Sequence, residues 1–181
     1  MNTFQNYWCS ACELKGSSTC TWGDFFYQIG TYRFTIPRGA GVCYNCNSIT
    51  AVEILPEYKI LHKQAKQQKD KSVPTSYLEE QLELASLLEN RESIARCLEC
   101  GSHDFQLIPK IETDQGLPTL NIPKRTTLIH KKCGGRIFVR QPLLHIDDHN
   151  RKERFYTKEG IEVTYNTHPT LRFKRIFGRN N

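Results

Sequence analysis

The chain has 181 residues, of which 38% are apolar and 24% are charged, and its mean hydropathy is −0.56. This balance is typical of a globular protein with modest cores. It contains no run of about 18 apolar residues and no N-terminal export signal, which argues against a membrane-spanning or secreted protein. We therefore expect a soluble protein of the cytoplasm.

The net charge of +6 is carried by the C-terminal half of the chain. Residues 1–55 hold three basic and three acidic side chains, and residues 56–96 hold seven of each. Residues 97–140 hold seven basic and four acidic side chains, and residues 141–181 hold eight and five. A phosphate-bearing partner would therefore be expected to contact the second half.

The first 55 residues predict a small β unit. Aromatic and β-branched residues in "FFYQIGTYRFTI" lie between two pairs of cysteines, and glycines mark the turns. Each pair, Cys9 with Cys12 and Cys43 with Cys46, has two residues between its members. In a reducing compartment this paired spacing favours metal binding over disulfides. Two such turns can present four thiolates to one tetrahedral zinc ion, so we predict a first zinc site of these four cysteines.

Cys20 stands outside both pairs. We expect a small apolar filler beside the β unit rather than a ligand or a reactive thiol, although an exchange with one of the paired cysteines is an alternative.

Residues 56–95 predict a linker with two helices. "EYKILHKQAKQQKDK" at 57–71 indicates a short solvated helix with lysines on one face. Ser76 and Glu79 form a capping box ahead of a second helix over 76–95, whose leucines make a wide apolar stripe that should pack on another element.

A second β unit is predicted over residues 96–181. "DFQLIPKI" and "GRIFVRQ" are typical of strands, "FYTKEGIEVTY" indicates a hairpin turning at Glu159–Gly160, and "LRFKRIF" a late strand. The fold class is thus predicted to be α+β, with two antiparallel β units joined by a helical segment and followed by a C-terminal hairpin packed on the second unit.

Three cysteines in the second unit lack an obvious fourth partner. Cys97 and Cys100 form a pair, but Cys133 has none, and His130 stands three residues before it. Since neutral imidazole binds zinc at about 2.0–2.1 Å, we predict a second site of Cys97, Cys100, His130 and Cys133. His103 is the rival ligand, with an exposed loop histidine as the simpler interpretation.

At these residues the chain resembles the zinc-ribbon group of folds. "CLECGSHDF…HKKCGGRIFV" matches with its knuckle glycines, and "WCSAC…VCYNCNS" matches more loosely, because Glu13 and Asn47 stand where glycine is frequent. The resemblance covers residues 4–55 and 95–140. It implies a fold with two structural zinc ions and does not imply a particular activity.

The sequence offers little for catalysis. Four protein ligands close a zinc site against water, so we expect no enzyme. The cluster His145, Asp147, Asp148 and His149 could hold a divalent ion in a hydrolase, but we expect a polar loop, because no second acidic motif supplies further ligands.

Basic residues alternate with aromatic ones toward the C-terminus, a pattern that suits phosphates and unpaired bases. The predicted nucleic-acid contacts are Lys131, Lys132, Arg136, Arg140, Arg151, Lys152, Arg154, Arg172, Lys174 and Arg175. We therefore expect a non-enzymatic accessory protein of transcription, defence or genome processing in a bacterium or phage. The alternative is an adaptor or inhibitor that docks a protein through its ribbons and the 76–95 helix.

Overall fold

The computed structural model describes residues 4–30, 32–55, 63, 82–86, 88–89, 91–109, 122–141 and 153–163. The described strands are β1 (Asn6–Cys9), β2 (Lys15–Ser17), β3 (Asp24–Ile29), β4 (Tyr32–Thr35), β5 (Arg38–Cys43), β6 (Ser48–Glu53), β7 (Phe105–Leu107), β8 (Lys124–Ile129), β9 (Arg136–Arg140) and β10 (Glu153–Tyr156). A short 3-10 helix spans Ser18–Thr21.

The predicted α+β class is wrong, because the described part of the chain is mostly β and forms three sheets. Apart from Lys63, α-helix in these ranges is confined to residues 82–86 and 88–89, and residues 91–96 before Cys97 are irregular. No helical segment therefore joins two β units within the described ranges. The rest of the predicted helix over 57–71 lies outside them, as does the predicted late strand at 171–177.

The chain separates into two compact units whose boundaries differ from the predicted divisions at residues 55 and 95. Unit 1 consists of Met1–Gly23, Arg38–Glu53 and Arg96–Lys152, and unit 2 consists of Asp24–Pro37, Ile54–Ala95 and Glu153–Asn181. Unit 1 therefore combines both cysteine-bearing parts of the sequence.

Sheet 1, in unit 1, has the strand order β2-β1-β9-β8, and all neighbouring strands are antiparallel. Tyr7 pairs with Val139 and Cys9 pairs with Ile137. These four side chains are all buried and belong to the core of unit 1. Because side chains alternate between the faces of a strand, the residues between them lie on the opposite, outer face.

Sheet 2, also in unit 1, has the order β6-β5-β7. Its middle strand, β5, is rich in small residues, and side chains of the adjacent strand β6 lie very close to it. A Cβ atom added at Gly41 would lie 2.7 Å from Val52 Cγ2, and one added at Gly16 of sheet 1 would lie 2.8 Å from Ile49 Cβ of sheet 2. Glycine at position 41 therefore leaves room for a side chain of the adjacent strand, and glycine at position 16 lets sheet 1 pack closely on sheet 2.

Unit 2 contains sheet 3, with the order β10-β3-β4. Strands β3 and β4 form an antiparallel hairpin within the predicted aromatic segment, whereas β10 joins β3 in parallel, with Tyr156 opposite Tyr27. Tyr27, Phe34 and Tyr156 are each at most 1% exposed and supply the core of this unit. The C-terminal hairpin was predicted to pack on the second ribbon, but its first strand pairs with β3 instead.

The predicted turn at Glu159–Gly160 is present, with Gly160 at a φ of 74° and an antiparallel bridge between Tyr156 and Glu162. The Ser93 hydroxyl donates a 2.7 Å hydrogen bond to the Glu159 carboxylate, which lowers the pKa of that carboxyl. Arg91 donates to the Ser93 hydroxyl at 2.7 Å. These side-chain bonds favour a non-helical conformation of residues 91–93, where the predicted helix over 76–95 was expected to continue.

Candidate metal centres

The eight predicted metal ligands converge into two groups in which all donor atoms lie within 4.8 Å of one another. Centre A consists of Cys9, Cys12, His130 and Cys133, and centre B consists of Cys43, Cys46, Cys97 and Cys100. The ligands form four motifs, which we number in chain order: Cys9/Cys12, Cys43/Cys46, Cys97/Cys100 and His130/Cys133. The sequence predicted that the first motif would share a metal with the second, and the third with the fourth. In the structure the first motif joins the fourth and the second joins the third, so the two centres are nested along the chain.

The strand pairing explains this nesting. Strands β1 and β9 pair side by side in sheet 1, which brings the turn after Cys9 to the turn before Arg136. Strands β5 and β7 pair in sheet 2, and Val52 forms a bridge to Cys97, which brings the second and third motifs together. Each centre thus lies at the end of one sheet.

The turns that carry the ligands share one backbone pattern. The amide of the first ligand donates to the carbonyl five residues later in the bonds Cys9 to Leu14, Cys97 to Ser102 and His130 to Gly135, at 2.9, 2.8 and 2.7 Å. His130 therefore occupies the position of the first cysteine of a pair. This placement agrees with its choice from the sequence as the donor that completes a set of four.

The residue after the second ligand has a left-handed backbone in three of the four turns. These residues are Asn47 (φ 51°), Gly101 (φ 72°) and Gly134 (φ 71°). Glycine adopts this region without steric cost and asparagine tolerates it better than most residues. The glycines of "CLECG" and "HKKCG" and the looser match at Asn47 thus have a common conformational basis.

The donor separations in centre A fit tetrahedral coordination. Metal–sulfur bonds of about 2.3 Å and metal–nitrogen bonds of about 2.05 Å place sulfurs about 3.8 Å apart and nitrogen about 3.6 Å from sulfur. In centre A the Cys9 and Cys133 sulfurs are 3.4 Å apart, and His130 Nδ1 lies 3.4 Å from the Cys12 sulfur and 3.2 Å from the Cys133 sulfur. These three separations are each shorter by about 0.2–0.4 Å than the separations expected around a bound ion.

Centre B has four sulfur donors at comparable spacing. The Cys43 and Cys100 sulfurs are 3.6 Å apart, and the Cys46 and Cys97 sulfurs are 3.8 Å apart. The Cys46 amide donates to the Cys43 sulfur at 3.4 Å, as expected for a turn that presents its thiolates to a metal. Both centres therefore have the ligand number and the spacing of a closed tetrahedral site.

The pKa of one thiol in centre B is lowered and the pKa values of two others are raised. These thiols therefore do not ionise together without a cation between them, which is why such a group suits a metal ion. Burial works against ionisation of Cys100, but hydrogen bonds from the Asn45 side chain and the Ser102 amide prevail and lower its pKa to about 6. Burial and the neighbouring sulfurs raise the pKa of Cys46, and burial, with help from Cys43, raises that of Cys97 to about 11. The Cys100 thiolate is thus favoured while those of Cys46 and Cys97 are disfavoured, unless a positive ion neutralises the group.

Centre A shows the same conflict. Burial opposes ionisation of Cys9, but amide hydrogen bonds from residues 11 and 12 lower its pKa. The Gly135 amide favours the Cys133 thiolate, yet burial and the adjacent Cys9 and Cys12 sulfurs raise the pKa of Cys133 to about 11. Burial and the charge of Lys132 lower the pKa of His130, which keeps its imidazole in the neutral form that binds metals.

The two centres are in direct contact through their turns. The ring of Tyr44, which lies between two ligands of centre B, stacks on the imidazole of His130 with centroids 5.6 Å apart and planes inclined by 10°. The Lys131 ammonium lies 5.0 Å from the centroid of the Tyr44 ring, and Lys132 donates to the Asn47 side chain at 3.0 Å. Ordering of one centre should therefore help to order the other.

Gly135 provides a mutational test of the contact between the first and fourth motifs. A Cβ atom added there would lie 2.5 Å from the Cys9 sulfur and 2.9 Å from the Ala11 amide nitrogen. We expect Gly135→Ala to push Cys9 out of centre A and to remove about one metal equivalent per chain, as counted by elemental analysis. The matched control is Gly134→Ala, where no atom lies within 4 Å of the added Cβ and only the left-handed φ is disfavoured, at a cost of about 1–2 kcal/mol. Equal metal loss in both variants would contradict the close approach of Gly135 to Cys9.

The alternative ligands lie outside both groups or outside the described residues. Cys20 packs against the core of unit 1, and burial raises the pKa of its thiol to about 12, in keeping with the predicted apolar filler. His103 is exposed and belongs to neither centre. The predicted cluster at 145–149 lies outside the described residues.

No family model, no curated protein and no solved structure matches this chain. The resemblance to zinc ribbons therefore rests on the ligand turns and their spacing alone. In the part of the chain that the structure describes, no helix is both long enough and apolar enough to cross a membrane.

Proposed function

We propose that this chain is a non-enzymatic nucleic-acid-binding accessory protein whose two metal centres hold structural zinc. The donor sets support zinc, since three cysteines with one histidine, or four cysteines, are typical of structural zinc sites. Four protein donors in each group leave no coordination position for substrate or water, which favours a structural role over a catalytic one. Elemental analysis of the purified protein identifies the ion, and zinc is expected at two equivalents per chain.

The observation that carries the nucleic-acid proposal is the charge of sheet 1. Its four strands contain five basic residues and no acidic residue, whereas sheets 2 and 3 each contain equal numbers of basic and acidic residues. Four of these cations lie on the outer face of sheet 1: Lys15, Arg125, Arg136 and Arg140. The ion pairs between described residues involve other cations. This face can therefore attract phosphates without first breaking ion pairs within the described part of the chain.

The predicted contact residues fall into three groups. Arg136 and Arg140 lie on the outer face of sheet 1, while Lys131 and Lys132 lie in the turn of centre A, where they contact Tyr44 and Asn47. Arg154 lies in unit 2 and pairs with Glu162 at 3.1 Å, so it is engaged within that unit. The remaining five, Arg151, Lys152, Arg172, Lys174 and Arg175, lie outside the described residues. Lys15 and Arg125 join the proposed surface, although the sequence pattern alone did not single them out.

Salt dependence of binding tests the proposal. Affinity for a short single-stranded oligonucleotide should fall linearly with salt on a double-logarithmic plot, with a slope of about −0.7 for each phosphate neutralised. We expect the double variant Arg136→Gln/Arg140→Gln to make the slope shallower by about 1.4 and to retain both metal ions. Lys158→Gln in unit 2 is the control and should change neither quantity.

A protein-docking role predicts a different result. Tight capture of a single protein that is insensitive to salt, with no measurable affinity for oligonucleotides at low salt, would contradict the proposal. Leu84 and Ala85, from the helix considered as an alternative docking surface, are each 1% exposed and are already covered.

A further inference from the structure

The outer face of sheet 1 carries an aromatic pair at its centre. Trp8 on β1 is the cross-strand partner of Phe138 on β9, and their rings stack with centroids 5.8 Å apart and planes inclined by 18°. Trp8 is also the partner of Lys15 on β2, and Phe138 is the partner of Arg125 on β8. One row of side chains across the sheet thus reads Lys15, Trp8, Phe138, Arg125.

We propose that this row is a base-stacking platform that makes the protein selective for single-stranded nucleic acid. The inference rests on the proposed nucleic-acid function and specifies which form of nucleic acid is bound and through which side chains. The row spans three interstrand gaps, or about 14 Å. Unpaired bases would lie on the two rings while their phosphates meet the cations at either end.

The aromatic pair is not needed for the core of its own sheet. The adjacent row on the inner face contains Tyr7 and Val139, which are 6% and 4% exposed and form part of the core of unit 1. Trp8 and Phe138 point the other way and are partly exposed, while Lys15 and Arg125 are exposed. Large rings held at the surface between cations, with no carboxylate in the four strands, match the composition of single-strand binding surfaces.

The chemistry of the row also explains why a duplex would bind less well. In a duplex the base faces are stacked on one another and only the base edges reach the grooves, so the exposed rings have no base face to stack on. An unpaired strand exposes its base faces, and every base has a π face, so the platform should tolerate many sequences.

Centre A prepares the platform for binding. Its ligands join the turn that follows β1 to the turn that precedes β9, and these two strands carry the aromatic pair. Without that link the two hairpins of sheet 1 would be held only by strand pairing and core packing. A metal ion held by these four donors would therefore limit the relative movement of the two rings before the nucleic acid binds.

The test uses tryptophan fluorescence in the full-length chain with the Trp22→Phe substitution, which leaves Trp8 as the single tryptophan and keeps an aromatic ring beside Phe4. An unstructured 12-nucleotide strand should quench Trp8 emission as it binds. The same sequence as a duplex should bind at least tenfold more weakly at equal salt.

Substitutions separate stacking from charge. Replacing Trp8 or Phe138 by leucine should weaken single-strand binding by about 5- to 150-fold, which corresponds to the loss of one stacked base. The salt slope should stay unchanged, because no phosphate contact is removed. Trp8→Tyr should bind almost as tightly as the parent, because it keeps an aromatic ring at this position. This variant keeps the test valid if the leucine variant is unstable. Two bound metal equivalents verify the fold of each variant.

Phe26→Leu is the matched control. Phe26 is also partly exposed and also stacks on a cross-strand partner, Phe155, at 5.8 Å, but it lies in sheet 3, which has no surplus of positive charge. The Phe26→Leu substitution should therefore leave the affinity for single-stranded nucleic acid unchanged.

The outcomes distinguish the two levels of the proposal. Equal affinity for single strand and duplex, or leucine variants that bind like the parent, would overturn the platform while leaving a salt-dependent nucleic-acid function intact. The platform would also be overturned if acrylamide failed to quench Trp8 in the free protein, because the ring would then be covered. Absence of any binding at low salt would overturn the nucleic-acid function itself.

Discussion

Removal of metal is expected to unfold unit 1. Both centres and all ten residues of its described core cluster belong to this unit. The core also includes Cys9, which is a ligand of centre A, and Tyr44, which follows a ligand of centre B directly in the sequence. Structural zinc contributes about 10–16 kcal/mol of apparent binding free energy in small zinc domains at pH 7, which is at least as large as the usual stability of a domain. A strong chelator should therefore convert unit 1 to an unfolded state, and zinc should restore it.

Tryptophan emission reports this transition selectively, because both tryptophans of the chain, Trp8 and Trp22, lie in unit 1. The emission should shift to the red with chelator and return with zinc, and chelator already saturated with zinc should have no effect. Unchanged emission after complete removal of metal, verified by elemental analysis, would contradict a structural role for the ions.

Pairs of cysteine substitutions should reveal the nesting of the centres. Cys12→Ser combined with Cys133→Ser damages centre A twice and should leave about one metal equivalent per chain. Cys12→Ser combined with Cys46→Ser damages both centres and should leave none bound tightly. The expected difference is a whole ion, because loss of one ligand typically removes a structural zinc site.

The sequential pairing predicts the reverse order, with one ion retained in the second double variant and none in the first. The single variants Cys12→Ser, Cys46→Ser and Cys133→Ser provide the baseline, each with about one ion lost. A Cys20→Ser control should retain both ions, because Cys20 belongs to neither centre. Native mass spectrometry counts the ions directly.

The identity of the eight donors could be predicted from the sequence, whereas their grouping could not. Spacing of two residues between cysteines, and His130 at the same offset from Cys133, specify turns that present two donors each. Every such turn is chemically able to pair with any other. Chain entropy decides little, since a loop about four times longer costs only about 1.2 kcal/mol more to close. Strand pairing between β1 and β9 therefore outweighs proximity in sequence.

The predicted helix over 76–95 extended too far because of a tertiary contact, since residues 91–95 are not helical. Leucine periodicity after Ser76 is a true helix signal, and Leu84 and Ala85 are indeed buried in helical turns. No sequence pattern indicates that Arg91 and Ser93 would instead bond to Glu159, a residue 66 positions beyond Ser93. Contacts of this kind depend on the tertiary fold and leave no periodic pattern.

The aromatic row on the outer face of sheet 1 could not be predicted from the sequence either. "NYWC" and "RIFVR" each alternate between buried and partly exposed residues, but either face could be the inner one until the cysteine side is known. Burial of Cys9 sets Tyr7 inward and Trp8 outward, and the pairing of Trp8 with Phe138 then places both rings on one face.

The nested grouping is tested most directly by substitution with cadmium-113 and correlation of each cadmium signal with cysteine β-protons by NMR. One cadmium should couple to Cys9, Cys12 and Cys133, with His130 as its fourth ligand, and the other should couple to Cys43, Cys46, Cys97 and Cys100. A cadmium that couples to both Cys9 and Cys43 would contradict the nesting, and with it the metal-fixed sheet on which the proposed platform is built.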